Sequence, residues 1–475
     1  MRREKAGGPA RVGSGAEALA YFTSPAPSVE ERMAAGKALR AKLPRERHAE
    51  YTPGRGRQDP VAILEKQAEG RVPSLVPLRY ARMLASPFAF LRGAAAVMAA
   101  DLSRTPATGL TVQACGDAHL ANFGFFGSAE RRLDFGVNDF DETLPGPWEW
   151  DLKRLAASAV VSVRLMGGDK ALCEKAARAA VATYRGRMRE YARMGHLAVW
   201  YSRIEEDAVL RALPPEARKV AEQITAKARR QGNLKLLGRM TALVDGRPRL
   251  VEHPPDVVRE THLPDGRPVA EVVGNALALY RDSLPAERRP LLSRYRVADV
   301  ARKIVGVGSV GTRCWVVLLT GNDPDDPLFL QYKEAQPSVL SPWSKAAAWG
   351  SQGERVVVGQ RLIQGAPDIF LGWGRTVDGA HFYMRQLRDM KGGVAFDPKN
   401  VKAFPAYLGI CGWALALAHA RSGDPAVLAG YVGKSEVLDD AVTRFAFAYA
   451  EQTERDFAAL ARAAKSKRIE VAETA

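Results

Sequence analysis

A change of texture in the second half of the chain constrains the fold more than any single motif. Helical periodicity prevails from Val61 to about Arg230, apart from strand-like runs around two polar clusters, and again after Phe404. Gln231–Glu271 is a Pro-, Gly- and charge-rich connection, and the piece from about Val297 is built of short β runs. Val300–Val305, Arg313–Leu319 and Leu328–Lys333 are apolar or aromatic stretches joined by Gly or Asn/Asp/Pro turns. Ala346–Gln364 reads as helix, and Ile369–Trp373 with His381–Gln386 as a strand pair. Ahead of this piece, Phe88, Leu91, Ala95 and Met98 predict one helix reaching Ser103. Leu152, Leu155, Ala159 and Val163 line another, which Gly167-Gly168 ends. Behind it, a long helix is expected from Leu438 to about Ala464. A chain that is helical, then β-rich, then helical predicts an α+β fold of two lobes that the backbone crosses twice. The expected divisions are a flexible basic arm over 1–60, with a short helix near Val29–Leu43, and a mainly helical lobe over 61–290. A β-rich lobe over 291–390, returning helices over 391–464 and a polar tail over 465–475 complete the chain.

Two polar clusters fall between strand-like runs in the first lobe. Cys115-Gly-Asp-Ala-His-Leu-Ala-Asn122 follows Leu110–Ala114, and Asn138-Asp-Phe-Asp-Glu142 follows Leu133–Val137. Half-buried polar groups are costly unless paired or bound to a ligand. Acids and an amide this close, with no Lys or Arg between Asp117 and Asn122, point to a cation or a phosphate–metal complex as their partner. An acidic surface turn is the plainer alternative for Asp139 and Asp141, and a hydrogen-bonded structural role for His119. Asp424, after the helix carrying His419, reads as a turn acid. Arg313 and Arg385 fit either phosphate contact or the surface, and Trp148 and Trp150 read as core aromatics.

In the β-rich piece, Gly306-Val-Gly308-Ser309-Val-Gly311 is a G-x-G-x-x-G. It is not a Walker A loop, because Thr312-Arg313 replaces Lys-Ser/Thr, and a β run rather than a helix follows, against a Rossmann turn. A glycine loop between antiparallel strands suits close approach of backbone N–H groups to phosphates; a tight hairpin is the simpler alternative. Alternation puts Phe329, Gln331 and Lys333 on one face of the third strand, and Glu354 follows on a helix. A strand lysine held by a helix glutamate grips nucleotide phosphates in kinases.

Composition narrows the function classes. At 475 residues, 47% hydrophobic and 26% charged, the chain has material for two lobes. No apolar run is expected to reach the ~18–20 residues of a membrane span, and no secretory leader is read at the N-terminus. The four cysteines, Cys115, Cys173, Cys314 and Cys411, are far apart, which argues against zinc or disulfides and for the cytoplasm. The net charge of +16 is spread as Arg along helices with no block of like charges, so nucleic-acid binding is not expected.

Together these residues resemble the protein-kinase-like phosphotransferase superfamily, especially its aminoglycoside and choline kinase branch. The catalytic loop there reads H-G-D-x-x-x-x-N; here Gly116-Asp117 and Asn122 match and Cys115 stands for the histidine. The resemblance implies that Asp117 orients or deprotonates an acceptor hydroxyl and that Asn122 and Asp139 hold Mg²⁺. Asp141 would be a carboxylate lying behind the metal or at a second metal, and Asp151 would brace the loop. Gly306, Gly308, Ser309 and Gly311 would lie over ATP phosphates gripped by Lys333 and Glu354. In kinases the glycine loop precedes the catalytic loop, whereas here it follows, which implies a circularly permuted order. Gly116-Asp-Ala-His-Leu, Gly146-Pro-Trp-Glu-Trp-Asp-Leu-Lys and Ala418-His-Ala-Arg-Ser-Gly-Asp424 also resemble the uncharacterised bacterial domain-of-unknown-function 2252 family. The expectation is an ATP- and Mg²⁺-dependent phosphotransferase acting on a hydroxyl of a small molecule or protein. Its alternatives are an AMP transferase or a non-catalytic module that binds nucleotide or a partner.

Overall fold

The computed structural model describes residues 23–473 except 264–265, 305, 347, 388–389 and 394–395. The start of the expected arm and the end of the polar tail lie outside the described residues. Helix α1 (Val29–Lys42) starts at a capping box in which Ser28 and Glu31 satisfy each other's backbone N–H groups. It is seated on the C-terminal part of the fold, with Arg40 donating to the Tyr431 carbonyl at 2.8 Å, so residues 29–42 are not a loose arm.

The helix expected through Phe88 and Met98 is instead two, α2 (Pro87–Gly93) and α3 (Ala95–Leu102), broken at Ala94. Ala94, at φ −111° and ψ 35°, leaves helical geometry there, next to a Gly93 on which a Cβ would lie 2.6 Å from Met83 Cγ. Strands β1 (Thr111–Ala114), β2 (Phe123–Gly127), β3 (Leu133–Val137) and β4 (Leu144–Pro147) follow, then the buried α4 (Trp148–Leu165) and α5 (Lys170–Tyr191).

The β-rich part of the chain begins earlier than residue 291. A helix over Asn233–Met240 and strands β5 (Thr241–Val244), β6 (Arg247–Leu250) and β7 (Val257–Val258) already belong to it. Next come α6 (Val269–Ser283), β8 (Arg296–Lys303), β9 (Cys314–Thr320), β10 (Pro327–Glu334), α7 (Gln352–Gln364), β11 (Gly372–Arg375) and β12 (His381–Gln386). Its six-stranded antiparallel sheet has the order β11-β12-β10-β9-β8-β7. Alternation sorts the faces: Trp315, Val317, Leu330 and Tyr332 pack with α6, while Val316, Leu318 and Phe329 pack with Leu236, Met240 and Leu250.

The chain then returns through α8 (Phe404–Ser422), α9 (Pro425–Val432) and α10 (Val437–Lys465). Contrary to expectation, one stretch, Pro398–Ser422, is long and apolar enough by composition to cross a membrane. It is packed among the helices against α5, so closely that a Cβ on Gly412 would lie 2.1 Å from the Ala180 carbonyl oxygen. All four cysteines are buried and unpaired. The architecture is mixed α+β.

Candidate functional site

Two strand pairs bring the acidic clusters together. β1 pairs with β4 and β2 with β3, both antiparallel, so the loop 115–122 and the turn 138–142 lie side by side. The Asn138 N–H donates to the Asn122 carbonyl at 2.8 Å. Gly116 has φ +79°, and a Cβ there would lie 2.3 Å from the Glu142 carbonyl oxygen. A side chain at that position would push loop and turn apart.

Helix α4 sets the loop from beneath. Asp151, 1% exposed, accepts from the N–H groups of Cys115 and Gly116 at 2.6 and 3.0 Å, and its Oδ2 is 3.3 Å from His419 Nε2. One turn on, Arg154 donates from Nε to Asp117 Oδ1 at 2.6 Å and from Nη2 to the Leu91 carbonyl at 2.9 Å. Burial pushes the Asp117 carboxyl up to about 7, against the pull of Arg154. His119 is buried, its Nε2 3.6 Å from Asp117 Oδ2; burial, aided by Arg154 and Arg92, holds the ring well below the usual histidine range and hence neutral. Asn122 donates from Nδ2 to the Asp117 carbonyl at 2.8 Å. Burial also raises the Cys115 thiol well above its ordinary value, which keeps it protonated and unreactive.

The β-rich part of the chain brings the second half. The glycine segment connects the paired strands β8 and β9, and its middle, Val307–Ser309, makes a tight turn. Gly311 has φ +89°, and its carbonyl accepts from the Val72 N–H at 2.8 Å. Lys333 on β10 is 2% exposed, forms an ion pair with Asp141 and lies 3.9 Å from Asp139. Asp141 also accepts from the Tyr383 hydroxyl at 2.7 Å and the Ser309 hydroxyl at 3.3 Å. Burial alone would raise Asp141, but Lys333 and Tyr383 hold it below the ordinary carboxylate range. Burial alone would lower Lys333, but Asp139 and Asp141 drive its ammonium pKa up.

One expected pairing is corrected by this geometry. Among the described residues Glu354 has no ion pair with Lys333; its backbone N–H closes the helix cap on Ser351 at 3.3 Å. The seat of α7 explains why. Gly353 presses on the Phe382 carbonyl, and Arg355 is the side chain turned inward, 1% exposed and donating to the carbonyls of Asp141, Thr143 and Gln336. Asp141, expected behind or at a second metal, is paired with Lys333.

Asp117, His119, Asn122, Asp139, Asp141 and Glu142 line one cleft with Gly306–Ser309, and Arg71 and Arg92 line it as well. It encloses about 60 Å³, room for a few waters. Among the described residues no three His, Cys, Asp or Glu side chains converge as a ready metal cage. Asp424 lies elsewhere, capping α9 and paired with Arg32 at 3.2 Å. Arg313 is exposed, while Arg385 is buried and donates to the Asn138 carbonyl at 3.2 Å. Arg71, Arg92, Arg154 and Tyr383 went unread in the sequence. Only Arg154 left a signal there, its helical spacing from Asp151 placing both on one face.

A family described as an uncharacterised protein conserved in bacteria (DUF2252) matches residues 71–463. The chain belongs to the DUF2252 family. The match spans both halves of the cleft, from Arg71 through the glycine segment and Lys333, and leaves out α1. No curated protein and no solved structure matches this DUF2252 chain.

Proposed function

We propose that this DUF2252 protein is an ATP- and Mg²⁺-dependent phosphotransferase acting on a hydroxyl acceptor, with a two-lobed kinase-like fold in permuted order. One observation carries the reading: Asp117, Asn122 and Asp139 share a single cleft with the glycine segment, and Lys333 stands directly behind Asp141. A lysine on the third strand of an antiparallel meander, a glycine connection between the first two strands and a following helix are the parts that hold nucleotide phosphates in kinases. The end of α8 supports the permuted order. Gly423 abuts Thr111 and Val112, so the helix that leads into a catalytic loop in the kinase order stops where the strand to this loop begins.

The residues fit the group they would hold. Mg²⁺ is commonly bound by one or two protein oxygens, with phosphates and waters completing its shell. Asp139, its side chain 36% exposed and only loosely paired, and the Oδ1 of Asn122 provide such oxygens. Mg-ATP would supply the transferable phosphoryl group and the metal charge that steadies it. Asp117 would take the acceptor proton, and a carboxyl poised near neutrality suits a general base. For phosphates to enter, the Ser309–Asp141 contact must open and the glycine segment must lift, because the enclosed space is too small for a nucleotide. The pairing of Lys333 with Asp141 rather than Glu354 favours, as a second reading, a non-catalytic module that binds nucleotide or a partner.

Mg-ATP at a hundred times its dissociation constant is expected to stabilise the full chain by about 2.7 kcal/mol in a thermal melt. Most of that gain should vanish in Asp139→Ala. No shift with either Mg-ATP or Mg-ADP would end the phosphotransferase reading, and binding without turnover would favour the module. Turnover, once an acceptor is found, is expected to rise as pH climbs through about 7 and then level off, as Asp117 ionises. Asp117→Asn should abolish that rise together with the rate.

A further inference from the structure

Arg92 ends α2, a helix outside both halves of the cleft read from the sequence. Its backbone is fixed from both sides. Arg154 donates to the carbonyl of Leu91 at 2.9 Å, and Arg79 donates to that of Gly93 at 3.0 Å. Arg154 is also the residue that holds Asp117, so one guanidinium registers Arg92 against the acid. The side chain lines the cleft between loop and glycine segment, and a Cβ on Gly306 would lie 3.5 Å from its Nη2. It is close enough to His119 to depress that ring's pKa. Among the described residues Arg92 makes no hydrogen bond or ion pair, and its Nε is buried without a partner. Lys333, by contrast, is consumed by Asp141, and Arg71 donates to the Val310 carbonyl at 2.5 Å. A guanidinium carried on a backbone fixed this firmly, with no carboxylate of its own, matches a ligand with anionic oxygens in a fork geometry.

We propose that Arg92 contacts the terminal phosphoryl group of the nucleotide and stabilises the charge it carries during transfer. The inference rests on the phosphotransferase reading and names the cation that reading lacks. In the step, the acceptor oxygen bonds to the γ-phosphorus and the bond to the β,γ-bridging oxygen breaks. The bonding electrons stay on ADP, and the acceptor proton passes to the Asp117 carboxylate. Arg92 forms no covalent bond; it donates N–H groups to the equatorial oxygens, where charge is spread in such transition states.

The test compares Mg-ATP and Mg-ADP binding to the full-length wild type, Arg92→Ala and Arg92→Gln by calorimetry, with unliganded melts as the folding control. Because Arg92 holds no partner, both variants are expected to melt like wild type. If one does not, the other supplies the comparison. Affinity for Mg-ATP should fall about ten- to a hundredfold while that for Mg-ADP stays within about twofold. A folded variant that keeps the wild-type preference for Mg-ATP over Mg-ADP overturns the assignment to Arg92 and leaves the phosphotransferase reading intact. A wild type that binds neither nucleotide overturns both.

Discussion

Lys333→Met is expected to lower stability by about 3 kcal/mol and to abolish nucleotide-dependent turnover, because it strips a buried carboxylate of its counter-ion. The side chain is 2% exposed, and methionine fills much of its volume, so the loss is electrostatic rather than a cavity. Asp141 would keep the Tyr383 and Ser309 hydroxyls but lose the ammonium that holds its pKa down. The double variant Lys333→Met/Asp141→Asn removes both charges and should regain more than half of the stability while staying inactive. The sign of the pH dependence follows from the two shifts. Asp141 lies below its ordinary 3.8 in the folded protein, so its contribution is present above that pH and fades as pH falls through the folded value. Lys333 lies above its ordinary 10.5, so its contribution is complete below that pH and fades as pH rises through the folded value. The stability gap between wild type and Lys333→Met should therefore be widest between these limits and narrow outside them. Urea unfolding at pH 7 and at pH 3 measures it; equal gaps at the two pH values would refute the electrostatic account.

Asp151→Ala should be comparably severe, at about 4 kcal/mol, for a different reason. It leaves the N–H groups of Cys115 and Gly116 buried without an acceptor and removes the carboxylate beside His419. Each stranded donor costs about 1–3 kcal/mol. Asp151→Asn keeps one acceptor oxygen but turns an amide NH₂ toward a backbone N–H, so about half the loss is expected. Since Asp151 lies under the loop and not in the cleft, the surviving folded fraction of Asp151→Asn should show weakened Mg-ATP response at full ligand concentration. Denaturant midpoints and ligand-induced melting shifts, read on the same samples, separate the two effects.

Much of the β lobe was legible because strand boundaries fall at turn residues and alternation settles which way side chains point. Phe329, Gln331 and Lys333 could be assigned to one face before any partner was known. The partner of Lys333 was not legible. Which side chain of α7 faces inward depends on how tightly Gly353 seats against Phe382, a contact between segments with no shared periodicity. Arg71 and Arg92 were invisible for a related reason: one sits in a bend and the other in a short helix in the first hundred residues, and their neighbour, the glycine segment, comes far later. The arm expected over 1–60 came from its Gly, Pro and Arg content. Ser28 and Glu31, spaced as a capping box, were the local signal that a fixed helix begins there.

The seating of α1 against Tyr431, near the far end of the chain, has a bearing on how the protein is made. During synthesis α1 and the acidic turn leave the ribosome well before β10 and α9 exist. Until then Asp141 has no ammonium beside it, and α1 has no surface to dock on. Helix α1 is thus translated long before its seat and is among the last of the described helices to find its place, and a ribosome stalled ahead of residue 425 would hold a chain in which α1 has nothing to dock on.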